Sequence, residues 1–297
     1  MSNMALKKPA PVQATKATAP SFTLPEKKSC PARGVGEMRW LVAIVSSIFL
    51  LPVLAADIYV ERGYQVHIDG EIRTGDAERV ASLISGMKIV GSFYVKSPGG
   101  NVEEALRISS LIDVTNARFY IKKGELCMSA CFFMFIAGKE RFASAFRGEE
   151  GQSPTSAMLA RGFKYVGIHR PYLASNQEVK AASADKQEAL MRASREYLLR
   201  RQVPQYLLDE MMGRASNQIY WLREKDLDLL GNYSPGYEEV LIKECGYNKV
   251  AQLESWTSTR RDDFDSCSFD VWEREYLPLQ GSYIKRLATG WRPWGKR

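Results

Sequence analysis

Beyond residue 57 the chain alternates between short apolar runs that suit strands and stretches whose apolar residues recur at helical spacing. Val66-His67-Ile68 predicts a strand that Ile72-Arg73 continues past a turn at Gly70. Asp76 caps a predicted helix running through about Met87, with Val80, Leu83 and Ile84 on one face. Residues 93–95 predict a second strand, Ser97-Pro98-Gly99-Gly100-Asn101 a turn, and residues 102–114 a helix with Leu106, Ile108, Leu111 and Ile112 as its apolar positions. A third strand is predicted over 117–121. Residues 129–137 are almost wholly apolar, which predicts a helix buried on all sides rather than an amphipathic one. Gly138 ends it, Arg141-Phe142-Ala143 begins another strand, and a polar insertion over about 144–162 follows. Residues 165–168 predict the strand that delivers His169, and residues 178–201 set Val179, Ala182, Leu190, Ala193, Tyr197 and Leu198 at helical spacing. Strand and helix in this order predict an α/β domain over 57–232, followed by an extension over 233–297. The extension holds Trp256, Trp272, Trp291 and Trp294 and ends in a basic run, an aromatic patch covering its own domain or one that touches a membrane surface or a partner.

One apolar stretch belongs to neither pattern. Residues 40–56 follow Arg39, carry Pro52 near their end and finish in small residues, which reads as a secretory signal peptide. A single-pass anchor with a cytoplasmic basic tail is the alternative that the same run permits, and with it membrane association through 40–56. Residues 1–37 are rich in Ala, Pro, Lys and Thr and predict a disordered leader, and Met38 opens a signal of ordinary length. The formal charge of +7 is concentrated there, because residues 1–39 hold seven basic residues against Glu26 and Glu37. The remainder has no overall basic bias, which argues against nucleic-acid binding. At 45% hydrophobic and 25% charged residues over its 297 residues, the chain can bury a substantial core.

Export to the periplasm or the extracellular space changes how the cysteines read, since disulfides persist outside the cytosol. Cys127, Cys131, Cys245 and Cys267 lie past the leader and allow three pairings. Proximity favours Cys245 with Cys267. Cys127 and Cys131 then flank Ser129, either as a bonded pair or as two small buried hydrophobes.

Three segments carry candidate chemistry. Gly99-Gly100 lies between a strand and a helix, where glycine lets the backbone approach a ligand and leaves N–H groups free to meet an anion. Ser129 opens the apolar run, and His169 stands between a strand end and Pro171. Each alone is ordinary: a turn, a helix cap, a structural histidine. His67 reads as a strand residue with no role, and two distant histidines predict no metal site. No cofactor is expected.

Taken in order, Ser97-Pro98-Gly99-Gly100, Cys127-Met128-Ser129, Arg141-Phe142-Ala143 and Ile168-His169-Arg170-Pro171 resemble the proteolytic subunit of Clp protease and the wider Clp/crotonase superfamily. The likeness runs from about Ile68 to about Gly231 and implies a spiral of repeated β-β-α units with a small C-terminal extension. It implies a serine peptidase or related acyl hydrolase with Ser129 as nucleophile, His169 as base, and the amides of Gly100 and Ala130 as oxyanion donors. A peptide or protein would be the substrate. The helix over 178–201 corresponds to the family's inter-ring handle, so a homo-oligomer is expected, whereas an exported protein would lack the ATP-driven unfoldase partner. The family's third residue is an aspartate; twelve residues after Pro204 this chain has Ser216, followed by Asn217 and Gln218. Asn217 could orient the histidine, a Ser–His dyad could act alone, or catalysis is lost and the fold binds a peptide or partner instead. Asp226 and Asp228 read as surface positions. The lead-in to Ser129 is shorter than the family's, and the insertion over 144–162 reads either as a lid or as a tolerated surface loop.

Overall fold

In a computed structural model, residues 56–143, 157, 165–172, 182–248 and 258–295 are described, and the signal or anchor segment and nearly all of the 144–162 insertion fall outside them. The described residues belong to one unit spanning Pro52–Arg297. A five-stranded sheet has the order β1 (Asp57–Glu61), β2 (Gln65–Asp69), β3 (Ser92–Lys96), β4 (Arg118–Tyr120), β6 (Arg141–Phe142). β1 and β2 form an antiparallel hairpin and the other pairs are parallel. A second sheet joins β5 (Leu126–Met128) in parallel to β7 (Tyr165–Ile168), and β7 in antiparallel to β8 (Tyr220–Trp221). The architecture is mixed α/β, as the alternation predicts.

The helices follow from capping and burial. α1 (Asp76–Ser85) is capped by Gly75 rather than Asp76, although the Asp76 carboxylate still accepts the Arg73 amide at 2.7 Å. α2 (Val102–Thr115) is capped by Asn101, whose side-chain oxygen accepts the Glu104 amide at 3.1 Å. In α3 (Cys131–Ala137) all seven residues are buried. Phe135 meets Phe119 of β4 edge to face, and the Tyr197 hydroxyl donates to the Phe133 carbonyl at 3.1 Å. Each such buried aromatic or aliphatic side chain contributes about 1.5–3 kcal/mol. The apolar faces of α1 and α2 enter the same core as Val66, Ile68, Phe93 and Val95.

Tyr197 belongs to α4 (Ala182–Arg200), which is followed by α5 (Gln205–Gly213) and α6 (Glu224–Leu230). Asp226 is fully buried, contrary to its reading as a surface position, and accepts the Arg223 amide at 2.7 Å and the Tyr220 hydroxyl at 3.1 Å, with Tyr206 also bonded. Asp228 is exposed. The extension comprises α7 (Pro235–Cys245), α8 (Ser258–Val271), a π-helical turn (Trp272–Tyr276) and α9 (Leu277–Ala288). It has a small core of its own around Tyr237, Leu241, Tyr247, Phe264 and Val271, beside the Cys245–Cys267 disulfide. α9 lies on α1 and α2, where Gln280 exchanges two hydrogen bonds with the Val90 backbone at 2.8 and 3.0 Å. Trp291 and Trp294 rest against the main core, so these two aromatics cover their own domain.

Candidate active site

Two glycines begin the site. Past β3, the Ser97 amide donates to Leu126 and the Ser97 carbonyl accepts from Met128, at 2.8 and 3.0 Å, tying the chain to β5. It then turns toward Ile72, whose amide donates to Gly99 and whose carbonyl accepts from Asn101, both at 2.8 Å. Because Gly99 and Asn101 make both bonds to Ile72, the N–H of Gly100 between them faces the other way. Gly99 and Gly100 have φ of 100° and 132°. A Cβ at Gly100 would lie 2.2 Å from the Ile72 carbonyl oxygen, and one at Gly99 would lie 2.6 Å from Ser129 Cβ. Both positions therefore require glycine.

Ser129 follows the last residue of β5 with φ of 54°, a left-handed conformation that costs a side-chain-bearing residue about 1–3 kcal/mol. Its amide is held by the Gly167 carbonyl at 2.8 Å and its own carbonyl by the Phe132 amide at 3.0 Å. The chain thus makes a sharp strand-to-helix turn, with half-buried Ser129 at the bend and buried Ala130 just ahead of α3. Among the described residues, the amides of Gly100 and Ala130 meet no hydrogen-bond acceptor. Cys127 and Cys131 are joined in a disulfide around this bend.

His169 comes from the neighbouring strand. Met128 pairs with Gly167 across parallel β5 and β7, so Ser129 and His169 leave the same ends of adjacent strands, which lie about 4.8 Å apart. His169 is 7% exposed, and burial lowers its pKa below the ordinary imidazole value against a smaller opposing effect from its hydrogen bond. Its Nδ1 is 3.0 Å from the Arg170 carbonyl oxygen. With Nδ1–H donating there, Nε2 keeps its lone pair and the ring is neutral at pH 7. The Tyr172 ring stands 5.8 Å away.

Asn217 is exposed in the turn before β8. Ile168 pairs with Tyr220, and Asn217 lies three residues before that pair. The contact made by the histidine Nδ1 is nevertheless a main-chain carbonyl, which no residue-type pattern encodes. A cleft of about 950 Å³ opens beside Gly100, with Ile72, Asn101, Glu103, Tyr172 and Lys186 in its walls. Tyr172 reaches this wall from just beyond Pro171, and its residue type is the sign of it in the sequence.

No known family model and no curated protein matches the sequence. Among solved structures, the chain is similar to a point mutant of ClpP1 from Listeria monocytogenes, with a TM-score of 0.40 and 19% identity, covering 58% of this chain and 89% of that one. It is also similar to a point mutant of the 1510-N membrane-bound stomatin-specific protease, with a TM-score of 0.38 and 12% identity, covering 62% of this chain and 84% of that one. Likenesses at this level assign no residue and no activity.

Proposed function

We propose that this chain is a Clp/crotonase-like serine hydrolase acting on peptides, with Ser129 as nucleophile, His169 as base, and Gly100 and Ala130 as oxyanion donors. The carrying observation is the strained bend at Ser129, packed against Gly99 and set beside a buried histidine whose Nδ1 is already engaged. A strained serine on a strand-to-helix turn is the geometry of an activated nucleophile, because it lifts the hydroxyl out of the regular ladder.

In the first step Ser129 Oγ bonds to the carbonyl carbon while its proton passes to His169 Nε2. The carbonyl electron pair moves onto oxygen, where the Gly100 and Ala130 N–H groups receive it. Each preorganised donor of this kind is worth about 2.7–4 kcal/mol in the transition state. Collapse breaks the C–N bond, and the leaving amine takes the proton from Nε2. Water then repeats the sequence on the ester and frees the acid. The Arg170 carbonyl stands in the place where a carboxylate would fix the imidazole tautomer. Asn217, exposed before β8, takes no part in this step.

The two disulfides fit an oxidising compartment, which supports an exported protein. Among the described residues no helix is long and apolar enough to cross a membrane, and 40–55 lie outside them. Among the described residues no side-chain carboxylate meets His169 Nδ1, which favours one other reading, a silent fold that binds peptide in the same cleft. A fluorophosphonate probe separates the two. The purified 57–297 region is expected to label at Ser129 and the Ser129→Ala variant to stay blank; an unlabelled wild type would leave only the binding module.

A further inference from the structure

We infer that the Cys127–Cys131 disulfide is a positioning clamp on the reacting serine rather than a brace for the fold. This rests on the hydrolase reading above and adds to it a requirement for oxidised cysteines. The bond closes a ring over a separation of only four residues, and the residues inside it are Met128, Ser129 and Ala130. Two of those three are the nucleophile and one oxyanion donor. One end of the clamp, Cys127, is fixed in β5, between its bridge to Ser97 and its pairing with Val166. The other end, Cys131, is the first residue of α3, and both are fully buried. The disulfide therefore sets the angle between strand and helix at the one residue between them held at φ of 54°.

Among the described residues, two hydrogen bonds hold the Ser129 backbone, its amide donating to Gly167 and its carbonyl accepting from Phe132. Neither fixes Ala130 relative to Gly99-Gly100, and a left-handed serine relaxes toward ordinary dihedrals when its surroundings allow. The clamp removes that freedom at both flanks. Its effect on the unfolded chain is small by comparison, because the entropy removed by a cross-link grows with ring size. A bond placed for stability would close a long ring; this one closes a ring that holds Ser129, Ala130 and one further residue, Met128.

The test uses saturation kinetics of fluorophosphonate labelling, which separates the limiting rate from the half-saturating probe concentration. Thermal melting of the same samples is followed alongside. Cys127→Ala combined with Cys131→Ala removes the bond while keeping small apolar side chains in the buried sites. The expected result is a limiting rate lower by about tenfold or more with half-saturation unchanged, because orientation rather than encounter is lost. Melting should fall by only a few degrees. Wild type prepared without oxidation, its thiols titrated, opens both rings and should match the variant in limiting rate, and reoxidation should restore the fast rate. A variant that labels at the wild-type limiting rate overturns the clamp, and so does one that fails to fold, since the bond would then be a brace. Wild type that never labels overturns the hydrolase reading itself, which the other two outcomes leave intact.

Discussion

The two disulfides sit in regions built on opposite principles. Cys127–Cys131 joins residues four apart, around a strained serine against which Gly99 packs too closely to carry a side chain. Cys245–Cys267 joins residues 22 apart, on helices that share only a small aromatic core. In the first region the backbone must keep one unfavourable shape. In the second, many shapes would serve provided the helices stay docked. Geometry should therefore govern what breaks the Ser129 bend, and burial what breaks the extension.

Glycine substitutions give the largest contrast. Gly99→Ala places a methyl 2.6 Å from Ser129 Cβ and 2.8 Å from the Met128 carbonyl oxygen, at a φ that already disfavours a side chain. The bend must yield, so labelling at Ser129 should fall below detection, with a loss of about 3 kcal/mol in stability. Gly246→Ala also meets a positive φ, at the end of α7, but nothing lies within 4 Å. It should cost about 1 kcal/mol and leave labelling unchanged. Equal effects from the two, measured by denaturant melts and probe labelling, would erase the distinction between the regions.

Opening the second disulfide comes next. Cys245→Ala with Cys267→Ala releases a ring of about twenty residues and should lower stability by about 3 kcal/mol. The limiting labelling rate should not move. A slowed rate in this variant would show that the extension reaches the site through α9, which lies on α1 and α2.

Two buried bases extend the comparison to pH. Lys139 is 3% exposed, with its ammonium 3.4 and 3.8 Å from the ring centres of Tyr276 and Tyr237 in the extension. Ring faces and Glu140 favour the charge, but burial dominates and brings the pKa down to about 6. An unfolded lysine holds its proton up to about pH 10.4, so between that value and about 6 the unfolded chain binds more protons. Stability should therefore rise with pH across this window in wild type, and rise less in Lys139→Met. His169 is also depressed, below 6.5, so its stabilising contribution is whole above 6.5 and declines as pH falls toward its folded value. Its readout is rate: the acid limb of labelling should have its midpoint below pH 6.5. A midpoint above 6.5 would contradict the burial seen at the site.

Much of this was legible from the chain, because periodicity reports burial and burial builds the core. The all-apolar run before Gly138, the helix after Asn101 and the strand before His169 were each readable from residue types. Short strands were not. β5 has three residues and β8 two, too few for an alternation to show, and β1 adjoins the apolar stretch that masks its own pattern. The left-handed turn at Ser129 left no sign either, since a serine before an apolar helix looks like a cap while the helix begins two residues later. The same holds for a sheet-wide ladder of stacked rings, Tyr59, His67, Tyr94, Tyr120 and Phe142, which depends on register between five strands. His67 has its place there, as a strand residue within a stack.

The smallest expected effect bears on the one site residue that spacing alone nominated. Asn217 lies in the turn three residues before Tyr220 and is exposed, and the histidine Nδ1 already faces the Arg170 carbonyl at 3.0 Å. An orienting side chain must accept a hydrogen bond from Nδ1–H to fix the tautomer, and where it does its loss costs orders of magnitude in rate. A carbonyl one residue away cannot be removed by mutation and does not depend on Asn217. Asn217→Ala should therefore leave the limiting labelling rate within about twofold of wild type and the acid-limb midpoint in place. A tenfold loss with a shifted midpoint would instead show Asn217 turning inward when the site is occupied. The bend at Ser129 would then share its control with the turn before β8, and the site would no longer be built from the main chain alone.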